Sequence, residues 1–117
     1  MTIELREPSF LVLAALADGP KHGYALLSEV ADLSDGRISL KVGSLYAIVE
    51  RVESAGLVEH VRDEIVNGRL RRYFALTDSG RERVAEEATR LEENARRARE
   101  RLRRRAGATI AAAVVAE

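Results

Sequence analysis

The apolar residues change period at Gly56, and few folds accommodate that change. Upstream, Val42, Leu45, Tyr46, Val49 and Val52 recur at helical spacing, which predicts a buried face on a helix over residues 41–55. Downstream the period is two: residues 57–66 and 70–76 read as strands, with Leu70, Phe74 and Leu76 on one side. Asn67-Gly68 lies between them. Both residues tolerate the positive φ of a two-residue turn, so the strands should form a hairpin. Two more helices precede these elements. Residues 8–17 are dense in Phe10, Leu11, Val12, Leu13 and Leu16 and stop at Asp18-Gly19-Pro20, where Gly19 suits a left-handed C-cap and Pro20 cannot continue a helix. Residues 21–33 place Tyr24, Leu27, Val30 and Ala31 on one face before Ser34-Asp35-Gly36. Ser39 is the expected N-cap of the third helix and Gly56 its C′ residue.

A long charged helix follows, capped by Thr77 or Asp78, with Glu82 and Glu86 favoured at the positive end of its dipole. Along it Val84, Ala88, Leu91, Ala95, Ala98 and Leu102 are spaced alternately four and three apart. That is the a/d seam of a coiled coil, and a seam needs a partner helix. Residues 107–117 carry Ile110, Val114 and Val115 among alanines; they can extend the helix, pack on a partner subunit or fray.

Composition narrows the function classes. The 117 residues suit one compact domain plus a projecting element. No cysteine is present, which excludes disulfides, thiolate metal sites and cysteine nucleophiles. No stretch approaches the roughly 18 uncharged apolar residues of a membrane span, and the first residues lack the order of a signal peptide, so a cytoplasmic protein without membrane contact is expected. The two histidines, His22 and His60, have no i, i+4 partner and predict no metal site. A Gly-rich phosphate loop and a nucleophile beside a base are also missing, so neither an enzyme nor a bound cofactor is expected.

Three short helices, a hairpin and a long helix make a mainly α fold with a small β-hairpin (α+β), the winged helix-turn-helix plan. The division expected is residues 1–76 for a DNA-binding domain and residues 77–117 for a C-terminal dimerisation helix and apolar tail. In that plan the third helix enters the major groove and the hairpin lies on the flanking backbone. Nineteen basic and nineteen acidic residues cancel, but phosphate attraction acts locally, within a Debye length of roughly 8 Å. The hairpin tip is locally basic: Arg69, Arg71 and Arg72 adjoin the turn and Arg62 lies on the other strand. On the outer face of the third helix Lys41, Gly43, Ser44, Ala47 and Arg51 are small, polar or basic, which suits close approach to DNA.

Three segments resemble the PadR family of bacterial regulators. Leu16-Ala17-Asp18-Gly19-Pro20-Lys21-His22-Gly23-Tyr24 is similar to the family's L-x-x-G-P-x-H-G-Y opening of helix two. Gly43-Ser44-Leu45-Tyr46, with Arg51-Val52-Glu53-Ser54-Ala55-Gly56-Leu57-Val58, is similar to its recognition helix. Gly68-Arg69-Leu70-Arg71-Arg72-Tyr73-Phe74-Ala75-Leu76-Thr77-Asp78-Ser79-Gly80 is similar to its wing. Ala47 stands for the usual proline, Val49 and Val52 for leucines, and Leu70 for the wing proline. The resemblance implies a repressor of the family's short branch, with a single C-terminal helix. It would bind a pseudo-palindromic operator as a homodimer, released by a small-molecule effector or a partner of unspecified identity.

Blander roles compete for the same residues. Tyr46 lies on the inward face, where a core tyrosine and a phosphate contact are equally served. Arginines on a hairpin also blunt an exposed strand edge. The arginine run from Arg96 to Arg105 reads better as solvated flanks of the dimer helix than as a DNA arm. A winged helix that binds protein instead of DNA is the main rival.

Overall fold

A computed structural model describes residues 3–116, with side chains through residue 108. In chain order the elements are α1 (Glu7–Ala15), β1 (Lys21–His22), α2 (Gly23–Leu33), α3 (Val42–Ser54), β2 (Val58–Val66), β3 (Arg69–Leu76) and α4 (Asp78–Ala116). By its internal contacts the chain divides into two compact units, Met1–Ala85 and Glu86–Glu117, so the boundary falls inside α4.

The first unit is built around one apolar core. Helix α1 contributes Val12 and Leu13, and its C-cap Leu16; α2 contributes Leu26 and Val30, and α3 contributes Leu45, Val49 and Val52. The sheet closes the core with Val58, Phe74 and Leu76, all buried. The buried residues of each helix recur at i, i+3, i+4 or i+7 spacing, although on α2 they are Leu26 and Val30 and not the face of Tyr24 and Leu27 that the sequence pattern predicts.

Two residues of the expected second helix are a strand instead. Lys21 and His22 pair antiparallel with Phe74 and Tyr73, giving a three-stranded sheet of order β1-β3-β2. Helix α2 accordingly begins two residues late, with His22 as its N-cap. Tertiary pairing overrides the local pattern here, because Lys21 and His22 lie beside an otherwise open edge of β3. The cap of α3 also differs from expectation: Lys41 takes the N-cap position with no side-chain bond, and Ser39 is outside the helix. Gly19 has a φ of 144° and so lies outside the left-handed cap region; α1 ends on Leu16 as C-cap.

The hairpin turn is as the Asn67-Gly68 pair predicts, with φ of 51° and 75°. Strand β2 carries a bulge between His60 and Arg62. One extra residue reverses the side-chain alternation beyond it. His60 therefore pairs with Phe74, whereas Arg62, two residues on, pairs with Tyr73 on the other face.

Helix α4 starts at a tight junction. The Thr77 hydroxyl donates to the Gly56 carbonyl at 2.6 Å and accepts the Gly80 N–H at 3.0 Å, capping the helix. Gly80 is buried there, and a Cβ on it would lie 2.0 Å from the Leu57 carbonyl oxygen. Gly43, by contrast, has open space around its Cα. Gly80→Ala is expected to cost about 1–3 kcal/mol or more, because backbone must move to admit the methyl group. Gly43→Ala should be neutral or stabilise by up to about 0.5–1 kcal/mol. Urea denaturation of both variants checks the contrast, and equal stability of the two would contradict it.

Candidate nucleic-acid interface

The first turns of α2 and α3 and strand β3 enclose a groove of about 460 Å³. Tyr24, Val42, Tyr46 and Leu70 line it together with Arg69 and Arg71. Its apolar members are unusually open: Tyr24 is 58% exposed and Leu70 62%. The spacing of Tyr24 predicts a place on the core face of α2, but it stands one step outside the buried stripe formed by Leu26 and Val30. Tyr46 and Val42 sit at the margin of the α3 core face, both exposed, rather than within it.

Gly23 explains where the Tyr46 ring can go. A Cβ on Gly23 would lie 2.6 Å from the Tyr46 hydroxyl oxygen. The ring therefore reaches over the backbone of α2 only because residue 23 has no side chain. Two of the three sequence segments singled out above meet in this contact.

The expected site residues do not all converge. Arg69 and Arg71 line the groove with Tyr46. Arg72 belongs to the other face of the hairpin, opposite Asp63, with its guanidinium 4.0 Å from that carboxylate and 5.7 Å from the Phe74 ring centre. Lys41, Gly43, Ser44 and Ala47 form an exposed stretch at the start of α3. Arg51, although its backbone lies on that helix, donates to the Ser9 hydroxyl of α1. Ser9 is almost fully buried, so Arg51 supplies a partner that the hydroxyl would otherwise lack.

On the outer face of the sheet, charges are arranged in a cluster that the sequence did not reveal. Arg62 lies over the Tyr73 ring at 4.2 Å and bonds Glu64 at 3.1 Å. Hydrogen bonds from Arg62 and then Tyr73 hold the Glu64 carboxyl below its ordinary pKa. His22 faces Tyr73 edge-on, and its Nε2 is 3.3 Å from Arg71 Nη1. Burial foremost, and then the Arg71 cation, push the imidazole pKa below its ordinary value, opposed by Glu64. The bulge that turns Arg62 toward Tyr73 has no marker in the local sequence.

Along α4, Val84 packs against the core of its own unit, and Ala88 is half-buried. Leu91, Ala95, Ala98 and Leu102 are exposed, Leu102 at 71%. Glu93 and Glu100 bind Arg96, Arg97 and Arg104 in an i, i+3 and i, i+4 ladder. At about 100° per residue that ladder occupies the side of the helix away from residues 95, 98 and 102. Part of the arginine run is thus a solvated ion-pair face. Side chains of the apolar tail lie outside the described residues. Among the described residues no cluster of metal-binding side chains occurs, and no helix is long and apolar enough to cross a membrane.

Residues 12–86 match the model of the transcriptional regulator PadR-like family. The chain belongs to that family. It is a transcriptional regulator of the PadR type rather than an enzyme. Over 85 residues it is 35% identical to the transcriptional regulator Rv3488 of Mycobacterium tuberculosis, covering 73% of this chain and 76% of that protein. It is also 42% identical over 82 residues to an uncharacterized 37.1 kDa protein in a Streptomyces fradiae transposon, covering 70% of this chain but 22% of that protein. Bacillus subtilis PadR, solved in complex with operator DNA, shares the fold at a TM-score of 0.63 and 21% identity, over 71% of this chain and 47% of that one. A PadR-like regulator from Bacillus cereus superposes at 0.67 with 20% identity, over 80% and 89% of the two chains. The winged-helix fold with a small antiparallel sheet and a long C-terminal helix agrees with these PadR structures.

The position of Arg51 yields a test of its role. Arg51→Ala leaves the Ser9 hydroxyl buried without its partner and should cost about 1–3 kcal/mol of folding stability. Ser9→Ala in the same background should recover part of that loss. Thermal denaturation of the single and double variants measures the coupling; purely additive losses would show that the pair contributes nothing.

Proposed function

We propose that this PadR-family regulator is a homodimeric repressor that binds a pseudo-palindromic operator. Helix α3 enters the major groove through Lys41, Gly43, Ser44 and Ala47, while the wing lies on the flanking backbone. The observation that carries this reading is the groove in which Arg69, Arg71 and Tyr46 meet beside the exposed start of α3. Guanidinium groups match phosphate oxygens bidentately, and a tyrosine hydroxyl donates to them as well. Open apolar side chains such as Tyr24 and Leu70 suit the sugar edges of a strand crossing between helix and wing. Arg72, on the other hairpin face, extends the basic surface, and Arg51 contributes through the packing of α3 on α1. Bacillus subtilis PadR, a fold relative, binds operator DNA, which supports the same use of the fold here.

The second copy follows from the α4 seam. Leu91, Ala95, Ala98 and Leu102 present an apolar stripe opposite the ion-pair ladder, the arrangement of a helix that packs on another. Two chains so joined would offer recognition helices to half-sites about one DNA turn, roughly 34 Å, apart, and a bound dimer would obstruct polymerase.

Two measurements test the reading. Fluorescence anisotropy on the chain's own upstream DNA, across a salt series, should show affinity falling with salt. In an Arg69/Arg71/Arg72→Ala variant the slope should flatten by about 0.9 for each phosphate that is no longer neutralised. An unchanged slope, or no preference for duplex DNA, would favour a protein-binding winged helix. Sedimentation analysis should give a dimer for the wild type and a monomer for Leu91→Asp/Leu102→Asp, since each buried leucine contributes about 1.5–3 kcal/mol. A wild-type monomer at DNA-binding concentrations would overturn the dimer.

A further inference from the structure

The DNA reading assigns no part to His22, yet this imidazole stands between the elements that form the groove. It belongs to β1, pairs in register with Tyr73 of β3, and is the N-cap of α2. Its Nδ1 lies 3.4 Å from the Ala25 amide nitrogen, and its Nε2 lies 3.3 Å from Nη1 of Arg71. One ring therefore touches the first turn of α2 on one side and a groove-lining arginine of the wing on the other. The partners are unequal. A hydrogen bond from a charged guanidinium is roughly twice as strong as one from a neutral amide. A neutral imidazole has a single acceptor nitrogen, so the tautomer that serves Arg71 is favoured, and the cap is the weaker of the two contacts at its longer distance.

We propose that His22 is a positioning residue for DNA binding: its neutral ring accepts from Arg71 and holds that guanidinium at the groove. This rests on the DNA reading above and adds a residue to it. Arginine has a long side chain with many rotamers, and a guanidinium already anchored by one N–H has less freedom to lose when it meets a phosphate. Glu64, which lies opposite Arg71 in the strand register, is engaged by Arg62 and Tyr73. Lys21, beside His22 in sequence, is directed to Asp18, Glu29 and the Ala15 carbonyl. His22 is thus the group at hydrogen-bond distance from Arg71 among the described residues. Burial and the Arg71 cation keep the ring in the neutral form that this role needs.

The two contacts of the ring can be separated by substitution. The oxygen of an asparagine reaches the position of Nδ1 and preserves the cap, but it stops short of Arg71. The oxygen of a glutamine reaches the position of Nε2 and accepts from Arg71, but it is a poor cap. Anisotropy on a random-sequence duplex across a salt series should show His22→Gln close to wild type. His22→Asn should lose affinity with a salt slope flatter by about 0.9, as in Arg71→Ala, and the His22→Asn/Arg71→Ala double variant should be no worse than Arg71→Ala alone. The opposite order, with His22→Asn binding as wild type and His22→Gln impaired, would mean that His22 only caps α2 and would overturn the proposal. Multiplying losses in the double variant would overturn it too. A wild type with no salt-dependent affinity for duplex DNA would remove the DNA reading itself, and this proposal with it. Should either variant fail to fold, the nitrogen resonances of His22 provide the second measurement. Replacing Arg71 with Ala should move the His22 titration midpoint upward, and a midpoint that stays in place would show that the two groups do not interact.

Discussion

Strand β3 is hydrogen-bonded along both edges, to β1 and to β2, and the geometry of the groove depends on that double pairing. A hairpin joined to the body only through its own turn would be free to swing, since an isolated two-stranded ribbon is marginally stable. Pairing with Lys21 and His22 ties the base of β3 to the residues that begin α2. Phe74 and Leu76, on the inward face of the same strand, are buried in the core. Arg69 and Arg71 thereby hold a defined position relative to Tyr46 on α3, although they lie far apart along the chain. The bulge at Val61 completes the arrangement by bringing Arg62 and Glu64 to the Tyr73 side.

Close backbone approaches do the rest of the positioning. Gly80 lets the first turn of α4 rest against the Leu57 carbonyl, and Gly23 lets Tyr46 lie over α2. Neither glycine has a positive φ; each is required for the space it leaves. Polar side chains then close gaps that apolar packing leaves. Thr77 bridges Gly56 and Gly80, and Arg51 serves the buried Ser9. Arg81 reaches the Ala17 carbonyl at 3.2 Å and Arg83 the Ile3 carbonyl at 3.0 Å, so arginines of α4 secure both ends of the segment around α1.

Ion pairing divides the arginines of this chain of zero net charge into two groups. Those of α4 at 96, 97 and 104 are matched by Glu93 and Glu100 on a solvated face. Arg37 is matched by Glu7, whose carboxyl is held below its usual pKa by that hydrogen bond. Arg69 and Arg71 instead border an aromatic and aliphatic groove. An exposed ion pair contributes roughly 0–1 kcal/mol, so the paired arginines of α4 add little to its stability. Across the strand register from Arg71 stands Glu64, which Arg62 and Tyr73 engage.

Periodicity and turn chemistry were enough to read the four helices and the hairpin. Helical spacing placed Leu45, Val49 and Val52 of α3 in the core but misplaced Tyr24 on α2, while Asn67-Gly68 marked the hairpin and Thr77 the start of α4, because these features depend on residues close along the chain. Three short segments carried the family resemblance, and the family match bears it out. Tertiary structure alone decided that Lys21 and His22 are strand, that Lys41 and not Ser39 precedes α3, and that β2 bulges at Val61. It also decided that Arg51 turns to Ser9 and that His22 meets Arg71, whereas the two-residue period of β3 by itself places Arg72 opposite Arg69 and Arg71. The strand pairing of Lys21 and His22 and the contacts of Arg51 and His22 each depend on a partner distant in sequence, and a side chain's direction is chosen by the partner that packing brings within reach. The residue types of the groove are written in the chain; that Arg69, Arg71 and Tyr46 meet there is a property of the folded sheet and helices.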